Sequence, residues 1–108
     1  LRDDARVQML LKKMAAAGRY TTAICAAPMA LAQAGLLDGK QATAYPGVLA
    51  SLKLASTQSL NDAVVVDGKV VTSQGPGTAM DFALTLIELL VGGALRKQVE
   101  AGLVRSSN

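Results

Sequence analysis

The chain has 108 residues, the size of one domain, and 51% of them are apolar, so a core is available and a disordered tail is excluded. Its net charge of +3 comes from 11 Lys and Arg against 8 Asp and Glu, scattered singly or as the pairs Lys12-Lys13 and Arg96-Lys97. That pattern reads as a solvated surface and gives nucleic-acid binding no support.

Asp3 or Asp4 can cap a first helix whose apolar positions are Val7, Leu10, Leu11 and Met14, with Gly18 as its stop. Arg6, Lys12 and Lys13 fall on its wet side. Thr21 to Ile24 reads as a short buried strand that ends at Cys25, the only cysteine. Pro28 then has the preset φ that suits the first turn of a helix. Ala23, Ala26 and Ala27 are small enough for backbone segments to close around the sulfur. A strand–turn–helix corner of this kind lifts one side chain above the carboxyl edge of a sheet and aims a helix N-terminus at it. The alternative is a lone cysteine behaving as a small hydrophobe.

Met29, Leu31, Ala32, Leu36 and Leu37 continue a mostly buried helix that ends near Gly35, and Asp38-Gly39 makes a turn. Gln41 to Tyr45 reads as a second short strand halted by Pro46-Gly47, and Val48 to Asn61 as a surface loop holding at most one helical turn. Two β-branched runs, 63–66 and 69–72, flank Asp67-Gly68 and predict a hairpin with a type I′ turn. After Gly75-Pro76-Gly77, Thr78 and Asp81 stand at capping-box spacing. The helix that follows, through Phe82, Leu84, Leu86, Ile87, Leu89 and Leu90, is apolar nearly all round and is expected to be heavily buried. Gly92-Gly93 ends it, a last short helix runs over 94–101, and 105–108 reads as a frayed tail.

This alternation of strands and helices predicts an α/β fold with a mainly parallel sheet covered on both faces. The strands are too few for an independent domain of that kind. Together with Leu1 in place of an initiator methionine, the tally reads as an internal fragment or processed product. The longest apolar run, Phe82 to Val91, is interrupted by Glu88 and falls short of the roughly 20 residues that span a bilayer, so no membrane partner is expected. One cysteine rules out an internal disulfide and fits a reducing, cytoplasmic setting.

The absence of histidine excludes a Ser-His or Cys-His pair within this chain. One cysteine and scattered carboxylates give no metal-ligand spacing. Gly75-Pro76-Gly77 could cradle an anion, but it lacks the Lys-Ser/Thr ending of a P-loop and the third glycine of a dinucleotide fingerprint. A tight turn leading into the helix is the preferred reading, and no cofactor is expected. Asp81 is read as a cap and Glu88 as a rim residue, not as an acid–base pair.

Two stretches then acquire a common meaning. Ala23-Ile24-Cys25-Ala26-Ala27-Pro28, followed by Asp67-Gly68-Lys69-Val70-Val71-Thr72-Ser73-Gln74-Gly75-Pro76-Gly77-Thr78-Ala79-Met80-Asp81-Phe82, resembles the ThiJ/PfpI family in its DJ-one branch. The resemblance runs over essentially all 108 residues and matches the C-terminal half, or slightly more, of a family chain. It implies a flavodoxin-like three-layer α/β sandwich, usually a homodimer, with residues 1–108 as the C-terminal part of a single domain whose N-terminal part is absent.

By the same resemblance Cys25 is the catalytic nucleophile, and Ala26 supplies a backbone N–H towards an oxyanion. A glutamate and a glycine pair of the family site would lie in the missing N-terminal half. Many members carry a histidine where Tyr45 precedes Pro46, so that histidine's role does not transfer. Tyr45 is left as a contact to substrate or to the partner subunit. The implied function is a DJ-one-like, cysteine-dependent and cofactor-independent enzyme that detoxifies dicarbonyls. Its reactions would be glyoxalase conversion of methylglyoxal to lactate and protein deglycation. The alternative is a redox-sensing, stress-protective or chaperone-like protein whose cysteine is oxidised to sulfinate.

Overall fold

The computed structural model describes residues 4–52, 54 and 56–103. Helix α1 (Ala5–Ala16) starts where the Asp4 carboxylate accepts the Arg6 backbone N–H at 2.8 Å. The other candidate cap, Asp3, and the expected tail from 105 lie outside the described residues. Its C-terminus is a Schellman motif: Arg19 N–H donates to Met14 O and Gly18 N–H to Ala15 O, with Gly18 at φ 73°. The inward stripe is rotated from the expected one. Val7, Gln8, Leu11 and Ala15 face the interior, while Leu10 is 59% and Met14 38% exposed. A helix with apolar residues on more than half its circumference has no unique face until its neighbours choose one, and here the Gln8 amide reaches Ala30 O at 3.1 Å.

Strand β1 (Thr21–Ile24) and helix α2 (Pro28–Gln33) fall at the expected positions, with Pro28 in the first turn. Gly35, at φ 77°, ends α2 in a second Schellman motif, and Leu31 and Leu37 are almost fully buried around it. The second strand is shorter than expected, β2 (Gln41–Ala42), because the chain then turns to join helix α3 (Val48–Leu52). The polar stretch after α3 is not all loop. Strand β3 (Gln58–Ser59) pairs parallel with β2 through Gln58 N–H to Lys40 O and Leu60 N–H to Ala42 O.

The hairpin joins β4 (Val64–Asp67) to β5 (Val70–Ser73), with Asp67 opposite Val70, so the turn residues are Gly68 and Lys69. Gly68 has φ 60°, while Lys69 is not among the positive-φ residues. One positive φ, at the first turn position, is the signature of a type II′ turn and corrects the expected type I′.

β5 sits between β4 and β1, antiparallel to the first and parallel to the second, and all four of its residues are buried. Burial on both sides of a strand requires cover on both faces. Helices α1 and α2 pack against β1, and α4 (Ala79–Val91) packs against β4 and β5. The β2–β3 pair is tied to the hairpin by Gln41 N–H to the Asp67 carboxylate at 2.8 Å and Thr43 N–H to Thr72 Oγ1 at 2.9 Å. Ala23, Leu31, Leu37, Ala42, Ala44, Leu49 and Val70 form the core between these elements. Full burial of each leucine contributes about 1.5–3 kcal/mol.

The expectation of a heavily buried α4 is overturned. Within that helix only Leu84 is buried, whereas Leu90 is 64% and Val91 59% exposed. The described elements that pack most closely on it, β4, β5, the lead-in turn and α5 (Gly93–Gly102), cover only part of its circumference. Nor does Thr78 cap it: its hydroxyl turns back to the Gly75 N–H at 3.1 Å instead.

Candidate functional site at the carboxyl edge of the sheet

At the end of β1 the backbone breaks sharply. Cys25 has φ 64°, the one positive value at a non-glycine position among the described residues. A side chain in that conformation costs roughly 1–2 kcal/mol, because Cβ crowds the following carbonyl. The surroundings hold it there. Cys25 N–H donates to Ser73 O at 3.1 Å, Tyr45 N–H donates to Cys25 O at 2.8 Å, and Ala27 N–H closes the turn onto Ile24 O at 3.1 Å. Pro28, almost fully buried, then directs the chain into α2. The result is the strained strand–turn–helix corner expected of a nucleophile elbow.

The cysteine is free and partly buried, and no side chain among the described residues hydrogen-bonds its sulfur. Ala26 is exposed, and its N–H has no acceptor among the described residues. An unengaged backbone N–H one residue after a nucleophile is the donor that a developing oxyanion requires. Sequence reasoning had singled out both residues. The positive φ at Cys25 had no signal of its own in the sequence.

Tyr45 arrives from the far side of β2 and is 53% exposed. A Cβ placed on Gly75 would sit 3.5 Å from the Tyr45 Cδ2, so the tyrosine ring lies along the backbone of the Gly-Pro-Gly turn. Three segments therefore converge at this edge: the elbow, the Tyr45-Pro46 turn and the Gly75 turn. A cleft of about 180 Å³ opens beside Tyr45, with Pro46 and Asn61 in its wall.

The Gly75-Pro76-Gly77 segment forms a 3-10 turn, Pro76–Thr78, that leads into α4. Ser73 Oγ donates to Ala63 O at 2.7 Å and lies 2.7 Å from Thr78 Oγ1, which also accepts the Gly75 N–H. The Gly75 N–H is engaged within the segment, and Thr78 N–H donates back to Gly75 O at 3.0 Å, as a tight turn leading into the helix requires. Glu88 faces Arg96 at 3.4 Å on the outer surface, as its rim reading required.

Among the described residues no helix is long and apolar enough to cross a membrane.

Comparison with known proteins gives this arrangement a context. The sequence model of the DJ-1/PfpI family matches residues 1–89. Protein DJ-1 homolog B of Arabidopsis thaliana is 40% identical over 109 aligned positions, covering 100% of this chain and 25% of the relative. The isonitrile hydratase of Pseudomonas putida is 37% identical over 92, covering 85% of this chain and 40% of the relative. The crystal structure of Drosophila melanogaster DJ-1beta superposes with a TM-score of 0.90 at 38% identity, covering 97% of this chain and 56% of that one. The chain thus spans about half the length, or less, of the proteins it matches, and corresponds to their C-terminal portion. The fold is flavodoxin-like, present here as that portion.

Proposed function

Because this chain belongs to the DJ-1/PfpI family, we propose that it carries the nucleophile of a DJ-1-like, cysteine-dependent enzyme acting on reactive dicarbonyls. One observation supports this most. The strained Cys25, at φ 64°, stands next to the unengaged N–H of exposed Ala26. A buried structural cysteine needs neither feature. That a relative is named isonitrile hydratase supports an enzyme reading for the wider family.

The chemistry proceeds in balanced steps. The Cys25 thiolate adds to the aldehyde carbon of methylglyoxal, forming the C–S bond of a hemithioacetal. The former aldehyde oxygen carries the charge towards the Ala26 N–H before it takes a proton. A base removes the hydrogen on that carbon, and a proton is delivered to the neighbouring ketone carbon. One carbon is oxidised and its neighbour reduced, so no external redox agent enters. The product is a lactoyl thioester on Cys25, which water hydrolyses to lactate and free cysteine. The proton shuttle is a carboxylate contributed from the N-terminal part of a complete family chain, and that part also completes the oxyanion site. Tyr45 contacts the substrate or the partner subunit of a homodimer. Protein deglycation would use the same hemithioacetal chemistry, and a cytoplasmic setting suits the free thiol.

The same exposed elbow can instead serve a stress sensor in which Cys25 is oxidised to sulfinate. Mass spectrometry after mild peroxide, run beside a methylglyoxal turnover assay, separates the two. Turnover that is lost in step with sulfinate formation on Cys25 supports the enzyme. Sulfinate on Cys25 in a protein that never turned over the dicarbonyl supports the sensor.

A further inference from the structure

Ser73 closes the central strand β5, opposite Ile24 of β1 and Val64 of β4, and is fully buried. Its carbonyl accepts the Cys25 N–H at 3.1 Å. Its hydroxyl has one hydrogen to give, and gives it to Ala63 O at 2.7 Å. Thr78 Oγ1 is therefore the donor to Ser73 Oγ at 2.7 Å, nearer than Gly75 O at 3.0 Å, and it receives the N–H of buried Gly75 at 3.1 Å. The bonds form a directed chain, Gly75 N–H to Thr78 to Ser73 to Ala63 O, in which each link polarises the next. The turn that this chain ties down bears on Tyr45. The tyrosine ring lies against Gly75, and the Tyr45 N–H donates to Cys25 O at 2.8 Å. Both backbone groups of Cys25 thus lead, by two routes, to the same pair of hydroxyls.

We infer that Ser73 and Thr78 are positioning residues for the nucleophile, holding Cys25 at its positive φ through the Ser73 carbonyl on one side and through Gly75 and Tyr45 on the other. A φ of 64° at a cysteine persists only while its surroundings over-determine it. A hydrogen bond to each backbone group supplies that constraint, and each bond is only as fixed as the segment it reaches. β5 is fixed by strand pairing on both sides, whereas the Gly75 N–H has the Thr78 hydroxyl as its one acceptor among the described residues. Without that hydroxyl a buried donor is left unpaired, and the turn shifts to expose it. Tyr45 moves with the turn, the Cys25 carbonyl loses its donor, and Cys25 returns to a negative φ. Its Cβ then swings, and the sulfur leaves its place next to the Ala26 N–H. Neither hydroxyl bonds the sulfur, so both act on geometry alone.

The inference rests on the reading of Cys25 as a nucleophile, and its test uses no dicarbonyl, so each can fail without the other. Thr78→Val keeps the shape of the side chain and removes the hydroxyl, and Thr78→Ser restores it. In the valine variant the Cys25 and Tyr45 amides should exchange about 10-fold faster, while the Thr21 amide, bonded to Lys69 O at the far end of β1, keeps its wild-type protection. The strong nuclear Overhauser contact between the Cys25 amide and its own Hα, which a positive φ gives, should weaken. Iodoacetamide should alkylate Cys25 about fivefold more slowly, and serine should restore all three signals. Tyr45→Ala, which removes the ring and keeps the N–H, should reproduce the change, and the double variant should add little to it. Wild-type exchange at Cys25 and Tyr45 in Thr78→Val would overturn the inference. So would faster exchange that extends equally to Thr21 or that serine fails to restore, since either means general loosening. Loosened amides with alkylation at the wild-type rate would leave the hydroxyls purely structural and would count against it equally.

Discussion

The backbone N–H of Tyr45 donates to the carbonyl of Cys25 at 2.8 Å, so the residue beside the cleft also holds the residue at the elbow. The two are twenty positions apart, and the bond joins the end of β1 to the turn after β2. Tyr45→Phe keeps this bond and removes only a half-exposed hydroxyl. Stability should stay within about 0.5 kcal/mol of wild type. Tyr45→Pro removes the donor, leaves the Cys25 carbonyl short of a partner, and should cost about 1–3 kcal/mol. Urea unfolding of the two variants checks both. A turnover defect in Tyr45→Phe without a stability change would assign the hydroxyl to substrate.

The strain at Cys25 predicts an order among its substitutions. Cys25→Gly relieves the positive φ, whereas Cys25→Ala keeps Cβ and with it the crowding. Glycine should therefore be more stable than alanine at this position by about 1 kcal/mol, the reverse of the usual order. Chemical denaturation of the pair measures it. Equal stabilities would mean that the elbow relaxes in solution.

The hairpin offers a test of turn type. Gly68→Ala places a methyl group at φ 60° and 3.3 Å from Lys40 Nζ, and should destabilise by about 1 kcal/mol or more. Lys69→Gly should not stabilise, since Lys69 has no positive φ to relieve. A gain in melting temperature for Lys69→Gly would instead favour a type I′ turn.

The Asp4 carboxylate is held below its ordinary value of 3.8, chiefly by the Arg6 side chain and then by the Arg6 backbone N–H. A carboxylate with a depressed folded value contributes stability above its unfolded value, and that contribution disappears as pH falls through the folded value. The cap on α1 should thus be intact at neutral pH and weaken below about pH 4. Helix content followed by circular dichroism should show this loss in wild type and not in Asp4→Asn.

Local chemistry made the elbow legible. Cys25, the small residues around it and Pro28 lie within six positions, and Pro28 does at the start of α2 what its ring dictates. Gly18 and Gly35 likewise marked helix ends through a backbone need that few other residues meet. Elements settled by distant partners were harder to read. β3 consists of Gln58 and Ser59, both exposed and polar, and exists because Gln58 N–H and Leu60 N–H find carbonyls around β2. The inward face of α1 was misplaced because Leu10 and Met14 satisfy the helical period as well as Val7 and Ala15 do. Only contact with α2 and β1 decides between them. α4 failed in the opposite sense: its apolar circumference was read correctly as a demand for burial, and the described residues meet that demand on one side alone.

The central claim is that Cys25 is the nucleophile of a dicarbonyl-converting site. The most direct measurement is lactate formation from methylglyoxal by this chain together with the N-terminal portion of a family chain, comparing wild type with Cys25→Ser. Loss of lactate formation to the uncatalysed background in Cys25→Ser, with the complex still assembled, is the predicted result. Lactate formation at the wild-type rate in that variant would contradict the account.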